Sequence, residues 1–190
     1  MPSFPDLRQP LTGEGIALRI AAERDIPEIL IAHQDDGTLY RRLGMARPPS
    51  GAELGRRTEL AGAELTAGVG AWLTILAADP TTGELSDECR GQIDVGDVDW
   101  DHRRAQLEIW IAPRDRGRGL AAAALELAGR WLLRDCGLER VQLLVDPANA
   151  TMRRAAAAAG YAEEGTLRGY LLDRGGRADV TMLSLVRADL

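Results

Sequence analysis

The sequence predicts a mixed α/β fold, in which a mostly antiparallel, twisted sheet contains one central parallel strand-helix-strand crossover and carries about four helices. The first observation is a strand pattern over residues 106–111 that changes to helical spacing over residues 120–131. The second is an apolar run at residues 141–145, which returns the chain to the sheet parallel to that strand. The third is the hairpin order of the other strands, three before the junction and two at the end.

The central junction is a strand that leads through a glycine turn into a helix. Residues 106–111 alternate polar and apolar side chains, which is the period of a half-buried strand. Pro113 ends this strand because proline has no backbone N–H to donate. Leucine, alanine and tryptophan then recur at helical spacing from Leu120. The helix is therefore expected to begin directly after the turn.

Gly117 and Gly119 lie where this helix begins. A helix start exposes unpaired backbone N–H groups at the positive end of its dipole, and glycine lets an anion approach them closely. The pair indicates a phosphate cradle, although tight packing of the turn would also explain it. A dinucleotide-binding fold would place such glycines after its first strand. A Walker loop is excluded because it requires a Gly-Lys pair and the chain contains no lysine.

The elements before the junction form an antiparallel meander with two helices. Ser50 is a suitable N-cap for the second helix, and a glycine at position 68 follows the end of that helix. The predicted strands are residues 15–20, 71–77 and 91–100, and the predicted helices are residues 23–32 and 50–67, with residues 33–37 breaking the pattern between them.

After the crossover, one more helix and a closing hairpin complete the chain. Asn149 is placed to cap a helix that runs to about residue 159, and Gly160 ends that helix. Residues 161–172 and 180–190 are predicted to be strands joined by a turn at residues 173–176.

Composition restricts the class of protein. The chain has 190 residues with 45% hydrophobic and 27% charged side chains, which predicts a single globular domain over residues 1–190. A net charge of −6 argues against general nucleic-acid binding. No basic leader or long apolar segment is present, so we expect a cytoplasmic protein that does not enter a membrane. Two cysteines and two histidines give no spacing for a disulfide framework or a metal site.

The glycine turn resembles the pyrophosphate loop of the GNAT acyltransferase superfamily, since Arg114-Asp-Arg-Gly117-Arg-Gly119 fits its Arg/Gln-Xaa-Xaa-Gly-Xaa-Gly/Ala pattern. The wider sequence resembles the branch of ribosomal-protein N-terminal alanine acetyltransferases. The residues that carry this second resemblance are Ile109-Trp110-Ile111-Ala-Pro before the loop, Asn149, Gly160-Tyr161, Glu164-Gly165-Thr-Leu167-Arg168, Asp179 and Ser184-Leu-Val-Arg-Ala-Asp-Leu190.

This resemblance implies an enzyme that moves an acetyl or other short acyl group from acyl-CoA to a primary amine, such as a protein N-terminus or a small molecule, without a metal. The CoA pyrophosphate would lie on the amides of residues 116–121 and the pantetheine along residues 109–111. A homodimer is a further expectation, because the C-terminal strand often supports dimers in the superfamily. The implied donor-binding residues are Ile109, Trp110, Ile111, Arg114, Arg116, Gly117, Arg118, Gly119, Leu120, Ala121 and Asn149.

Glu108 is the side chain best placed to accept a proton from the amine, because it lies on the central strand and shares a face with Trp110. A solvated strand residue or a structural partner of an arginine would explain the same carboxylate. Related sequences of this branch usually have a small residue at this position. Asp94, Asp97 and Asp99 could bind a cationic acceptor or conduct its proton, or form a charged outer strand face.

The acid that would protonate the leaving thiolate is missing from its usual place. Met152 stands where the branch commonly has serine, and the tyrosine of other branches would fall in an alanine run. Asn149 could hydrogen-bond pantetheine or cap its helix, and Thr151 or a water could donate the proton. A non-catalytic CoA-binding module, acting as a sensor or assembly partner, is therefore the alternative function. Acceptor choice is expected to depend on residues 33–46 and the closing hairpin.

Overall fold

The computed structural model describes residues 3–79, 81–173 and 175–190, and within them eight strands form one sheet. In chain order the strands are β1 (Leu11–Gly13), β2 (Ile16–Ile20), β3 (Ala71–Ala77), β4 (Gly91–Asp99), β5 (Arg104–Ile111), β6 (Arg140–Val145), β7 (Ala162–Asp173) and β8 (Gly176–Val186). Across the sheet they lie in the order β1-β2-β3-β4-β5-β6-β8-β7. Every neighbouring pair is antiparallel except β5 and β6, which are parallel.

Five α-helices lie within the same residues, and none of them is long and apolar enough to span a bilayer. They are α1 (Ile26–Asp35), α2 (Leu39–Arg42), α3 (Gly51–Ala67), α4 (Leu120–Arg130) and α5 (Ala150–Ala158), and a π-helical turn at Trp131–Asp135 extends α4. The predicted caps are confirmed. Ser50 and Glu53 form a reciprocal capping box at the start of α3, and Gly68 ends α3 in the left-handed conformation at φ 72°.

Different helices pack on the two faces of the sheet. Along β5, Leu107 and Ile111 belong to a core that contains side chains of α4, whereas Trp110 belongs to a second core with side chains of α1 and α3. The assignments alternate because successive side chains of a strand point to opposite faces. Glu108 therefore lies on the face of Trp110, beside α1 and α3.

The parallel pair is joined only along its first half. Residues 104–107 of β5 pair with residues 140–143 of β6, and the register ends there although both strands continue. Residues 108–111 pair with β4 on one side, and on the other side they pair with no strand of the described residues. The two central strands thus splay apart at the end of β5 that leads into the glycine turn.

A buried ion pair ties the start of α1 to the sheet. Arg19 on β2 donates to both carboxylate oxygens of Asp25 at 2.8 and 2.6 Å, and Asp25 is only 1% exposed. Thr74 on β3 donates to the same carboxylate at 2.7 Å, and so does the backbone N–H of Ala22 at 2.9 Å. Because α1 begins at this point, the network fixes the helix against the sheet.

The predicted mixed, mostly antiparallel fold with one parallel crossover is confirmed, and the differences concern short elements. The first strand, β1, has three residues and is too short to show an alternating pattern. The helix expected to stop at residue 32 continues to Asp35, with His33 buried in its last turn, and α2 adds a fifth helix of four residues. The last strand ends at Val186 rather than at residue 190, and a 3-10 turn, Arg187–Asp189, follows it.

Candidate active site

The free edge of β5 carries backbone groups that have no strand partner in the part of the chain that the structure describes. Ala112 N–H donates to the carbonyl of Arg90, which sets the phase of the ladder between β4 and β5. Antiparallel ladders alternate, so Glu108 and Trp110 direct their backbone groups towards β4, and Ile109 and Ile111 direct theirs towards the gap beside β6. An extended ligand could therefore pair with Ile109 and Ile111 as an added strand does. Trp110 contributes a side chain to the other face instead.

The glycine turn follows this edge directly and leaves several amides free. Gly117 and Gly119 have φ values of 77° and 79°, the left-handed region that glycine favours, and open space lies where a Cβ would stand at either position. No side chain caps α4, and its first backbone bond runs from Ala123 N–H to the carbonyl of Gly119. The amides of residues 117–122 have no acceptor among the described residues. These donors lie at the helix start where the sequence predicted an anion cradle, and their binding of an anion stays a prediction.

The three arginines of the turn are each held by carboxylates. Arg114 contacts Glu28 and Glu88, Arg116 donates to Asp36 at 2.7 Å, and Arg118 donates to Asp115 at 2.6 Å. Arg116 also donates from Nε to the carbonyl of Ile111 at 3.1 Å, so it joins the turn to the free strand edge. Asp115 is 2% exposed, so the carboxylate that binds Arg118 is buried beneath the turn. The arginines therefore shape the turn, and the backbone supplies its uncommitted donors.

Glu108 is accessible to solvent but lies in a cleft, directly opposite Asp94 in the register of β4 and β5. Burial raises the pKa of the Glu108 carboxyl, and the negative charges of Asp94 and Asp97 raise it further, while Arg57 opposes them. Arg57 forms an ion pair with Asp94 and stacks over the Trp72 ring, with its guanidinium carbon 4.2 Å from the ring centroid. A carboxylate with a raised pKa is suited to exchange a proton near neutral pH.

A pocket of about 260 Å³ opens beside Glu108 on the face covered by α1 and α3. Three of its residues, His33, Leu43 and Met45, come from the segment that the sequence singled out for acceptor choice, and no described residue of the closing hairpin lines it. Burial lowers the pKa of His33, although Asp36 opposes that shift. The other lining residues are Ile29, Pro49, Leu54, Arg57, Trp72, Gln92, Asp94, Glu108 and Trp110.

The helix after β6 carries no hydroxyl in the expected place. Asn149 Oδ1 accepts a hydrogen bond from Met152 N–H at 3.1 Å, so its cap role is present, and its amide nitrogen makes no hydrogen bond among the described residues. Met152 packs against the core beside α4, and Thr151 is exposed. Tyr161 is 3% exposed and donates to the carbonyl of Leu125 at 3.4 Å, and burial raises the pKa of its hydroxyl.

Several pocket residues gave no signal in the sequence. Trp72 lies within a mostly apolar strand, and Arg57 and Gln92 are polar residues of α3 and β4 that no motif distinguishes from the other polar residues of those elements. The sequence marks Asp94 only as one of three aspartates on β4. The alternation of β4 places Gln92 and Asp94 on the face of Glu108, so a register between β4 and β5 would have revealed both.

A mixed sheet whose parallel pair splays open beside a glycine-rich helix start defines the GNAT class of fold. Residues 16–162 match the acetyltransferase (GNAT) domain family, and the chain belongs to that family. The resemblance drawn from the glycine turn is thereby confirmed.

Individual relatives agree with this assignment. YdaF of Bacillus subtilis, named as a ribosomal N-acetyltransferase, is 27% identical over 99 residues, which cover 52% of this chain and 54% of YdaF. Spermidine N(1)-acetyltransferase of Escherichia coli K12 is 31% identical over 84 residues, covering 44% of this chain and 45% of that protein. The match thus spans about half the length of these curated relatives.

Among solved structures, Mycobacterium smegmatis RimJ in complex with CoA-disulfide has the same fold, with a TM-score of 0.74 and 24% identity over 96% of this chain and 88% of RimJ. The name of YdaF as a ribosomal N-acetyltransferase supports the resemblance to that branch.

Proposed function

We propose that the chain is an N-acyltransferase that moves an acetyl or other short acyl group from acyl-CoA to a primary amine, by direct attack within a ternary complex. The observation that carries this proposal is the free edge of β5, which ends in the glycine cradle and has Glu108 on the same strand. Membership of the GNAT family supports it.

The residues present fit an acyl-CoA donor. The free amides of residues 117–122 would bind the pyrophosphate, and the absence of Cβ atoms at Gly117 and Gly119 leaves room for it. The carbonyl of Ile109 and the N–H of Ile111 would pair with the pantetheine along the gap beside β6, since Arg116 already occupies the carbonyl of Ile111. When bound there, acyl-CoA supplies an acyl group activated as a thioester.

The acceptor would bind on the face of β5 that carries Glu108 and is covered by α1 and α3, whereas the donor lies along the edge of this strand. Its pocket holds the amine beside Glu108, whose raised pKa suits removal of a proton from the ammonium form. Holding amine and thioester in line supplies much of the rate, because it replaces a chance encounter with a fixed geometry. The uncommitted N–H of Ile109 lies at the splay and would stabilise charge on the thioester oxygen.

Thiol release on addition of an amine tests the proposal. We expect the protein to release CoA thiol from acetyl-CoA with at least one member of a panel of peptides, amino acid amides, polyamines and aminoglycosides. Glu108→Gln is the matched variant, since it keeps the shape and removes the base. Tight CoA binding in calorimetry without thiol release from any acceptor would favour the non-catalytic CoA-binding module, which the lack of a hydroxyl at Met152 supports.

A further inference from the structure

The pocket beside Glu108 contains two buried polar side chains without hydrogen-bond partners. Gln92 is 3% exposed and His33 is 6% exposed, and both line the pocket. Gln92 Nε2 and His33 Nδ1 have no partner among the described residues. Buried polar groups of folded proteins are nearly always hydrogen-bonded, because an unmade bond leaves their loss of hydration uncompensated. Two such groups in one pocket indicate a ligand that completes them.

The register of the sheet places Gln92 within reach of a molecule held at Glu108. Asp94 lies opposite Glu108, and Gln92 lies opposite Trp110, so Gln92 and Glu108 are diagonal neighbours on one face. Diagonal neighbours are separated by about 7–8 Å. A small molecule can bridge that distance with its amine at Glu108 and a hydrogen-bonding group on the adjacent carbon at Gln92.

Charge limits the ligand to one positive group. Arg57 forms an ion pair with Asp94, which leaves Glu108 as the carboxylate of the pocket lining without an ion-pair partner among the described residues. Gln92 is neutral, and apolar side chains such as Trp72 and Leu54 form much of the wall. Within the pocket, a second or third ammonium group would meet Arg57 and these walls, because Asp97, which also acts on Glu108, is not one of the lining residues. A long polycation therefore fits the pocket poorly.

We propose that Gln92 and His33 determine acceptor specificity by binding a hydrogen-bonding group, such as a carbonyl, on the carbon next to the reacting amine. The pocket then takes a singly charged α-amino carbonyl compound in preference to an aliphatic polyamine. The Gln92 side-chain amide donates a hydrogen bond to the carbonyl oxygen. The His33 ring forms a hydrogen bond with the same polar group from the opposite side. This inference rests on the proposed function, because it assigns the acceptor of the same site.

The test compares alaninamide with sec-butylamine, which has a similar size and no carbonyl, in the thiol-release assay. The ratio of their kcat/KM values is measured in the wild type, Gln92→Leu and His33→Phe, so differences in amine basicity cancel between proteins. We expect each variant to lower the ratio at least about tenfold, through KM for alaninamide, because the carbonyl loses its partner. Gln142→Leu is the matched control, since Gln142 is a buried glutamine on the same face whose amide bonds to Gln106. It should leave the ratio unchanged.

An unchanged ratio in both pocket variants would overturn the inference, and so would a higher kcat/KM for spermidine than for alaninamide in the wild type. Binding is followed separately by NMR of the CoA-saturated protein. The side-chain amide signals of Gln92 are identified as those missing from the spectrum of Gln92→Leu. In the wild type, these signals should shift when alaninamide is added and stay in place with sec-butylamine. This readout holds without turnover, so absence of thiol release counts against the proposed function, and absence of the shift counts against the role of Gln92.

Discussion

Asp94 and Glu108 lie directly opposite each other on β4 and β5, with both carboxyl groups on the face that carries the pocket. Asp94 is held by Arg57, whereas Glu108 has no ion-pair partner among the described residues. The pair thus separates into one carboxylate with a structural role and one that is available for proton transfer. The proposed mechanism depends on this asymmetry.

Glu108→Gln should reduce turnover by about a hundredfold or more while CoA affinity is retained, since the variant keeps its shape and loses the base. The same change should stabilise the fold at neutral pH. The folded-state pKa of Glu108 is raised, so its contribution to stability is present below the unfolded pKa and is lost as pH rises through the folded pKa. Thermal unfolding against pH measures this effect. Full turnover in the variant would return Glu108 to a structural role.

Substitutions of the two charged neighbours of Glu108, Arg57 and Asp94, should move the acidic limb of the pH profile of kcat/KM in opposite directions. Arg57 lowers the pKa of Glu108, so Arg57→Leu should move the limb to higher pH. Asp94 raises that pKa, so Asp94→Asn should move the limb to lower pH. Profiles for both variants, recorded at saturating acetyl-CoA, check the signs. Shifts in the same direction would mean that another group controls the limb.

Local patterns in the sequence predicted the junction of β5 and α4, because alternation and helical spacing need no knowledge of distant residues. The pocket was not predictable in this way. Trp72, Arg57 and Gln92 come from β3, α3 and β4, and they meet only when the register brings those elements together. The phase of the β5 ladder also depends on distant residues, so the sequence alone does not distinguish Trp110 from Ile109 along the donor edge.

Gly119→Val should weaken CoA binding at least about tenfold, because its Cβ branches would fill the cradle beside the free amides of α4. The positive φ of 79° also strains any side chain there. Gly15→Val is the matched control, since Gly15 has a φ of 68° and open space around it in the turn between β1 and β2. Calorimetry should find CoA affinity lost in the first variant only, with similar losses of stability in both. Equal affinities would remove Gly119 from the donor site.

Asp25→Ala should destabilise the protein by about 3–5 kcal/mol, because it leaves the buried Arg19 without its partner. Burial alone would raise the pKa of Asp25, but hydrogen bonds from Arg19, Thr74 and the backbone outweigh it and lower the pKa. The carboxylate therefore stabilises the fold above its unfolded pKa, and this contribution is lost as pH falls through the folded pKa.

Asp87→Ala is the control for Asp25→Ala. Asp87 binds the same arginine from the surface at 2.9 Å and is 59% exposed, so its loss should cost less than about 1 kcal/mol. Urea unfolding at neutral and acid pH compares the two variants. Similar losses of unfolding free energy in both variants would show that the buried ion pair of Arg19 contributes no more to stability than the exposed one.

The thiolate is not expected to take its proton from a side chain of α5. Asn149 Oδ1 is engaged as the cap of this helix, and Met152 brings a thioether to the core where the related branch has a hydroxyl. Met152→Ser should therefore leave the single-turnover rate unchanged or raise it. Asn149→Ala should cost about 0.5–2 kcal/mol of stability and harm CoA affinity more than the chemical step. Thr151→Val removes the nearby exposed hydroxyl and should leave the rate unchanged. Single-turnover rates at saturating acetyl-CoA separate donor binding from the chemical step. A large fall of this rate in Thr151→Val, with donor affinity retained, would identify Thr151 as the acid.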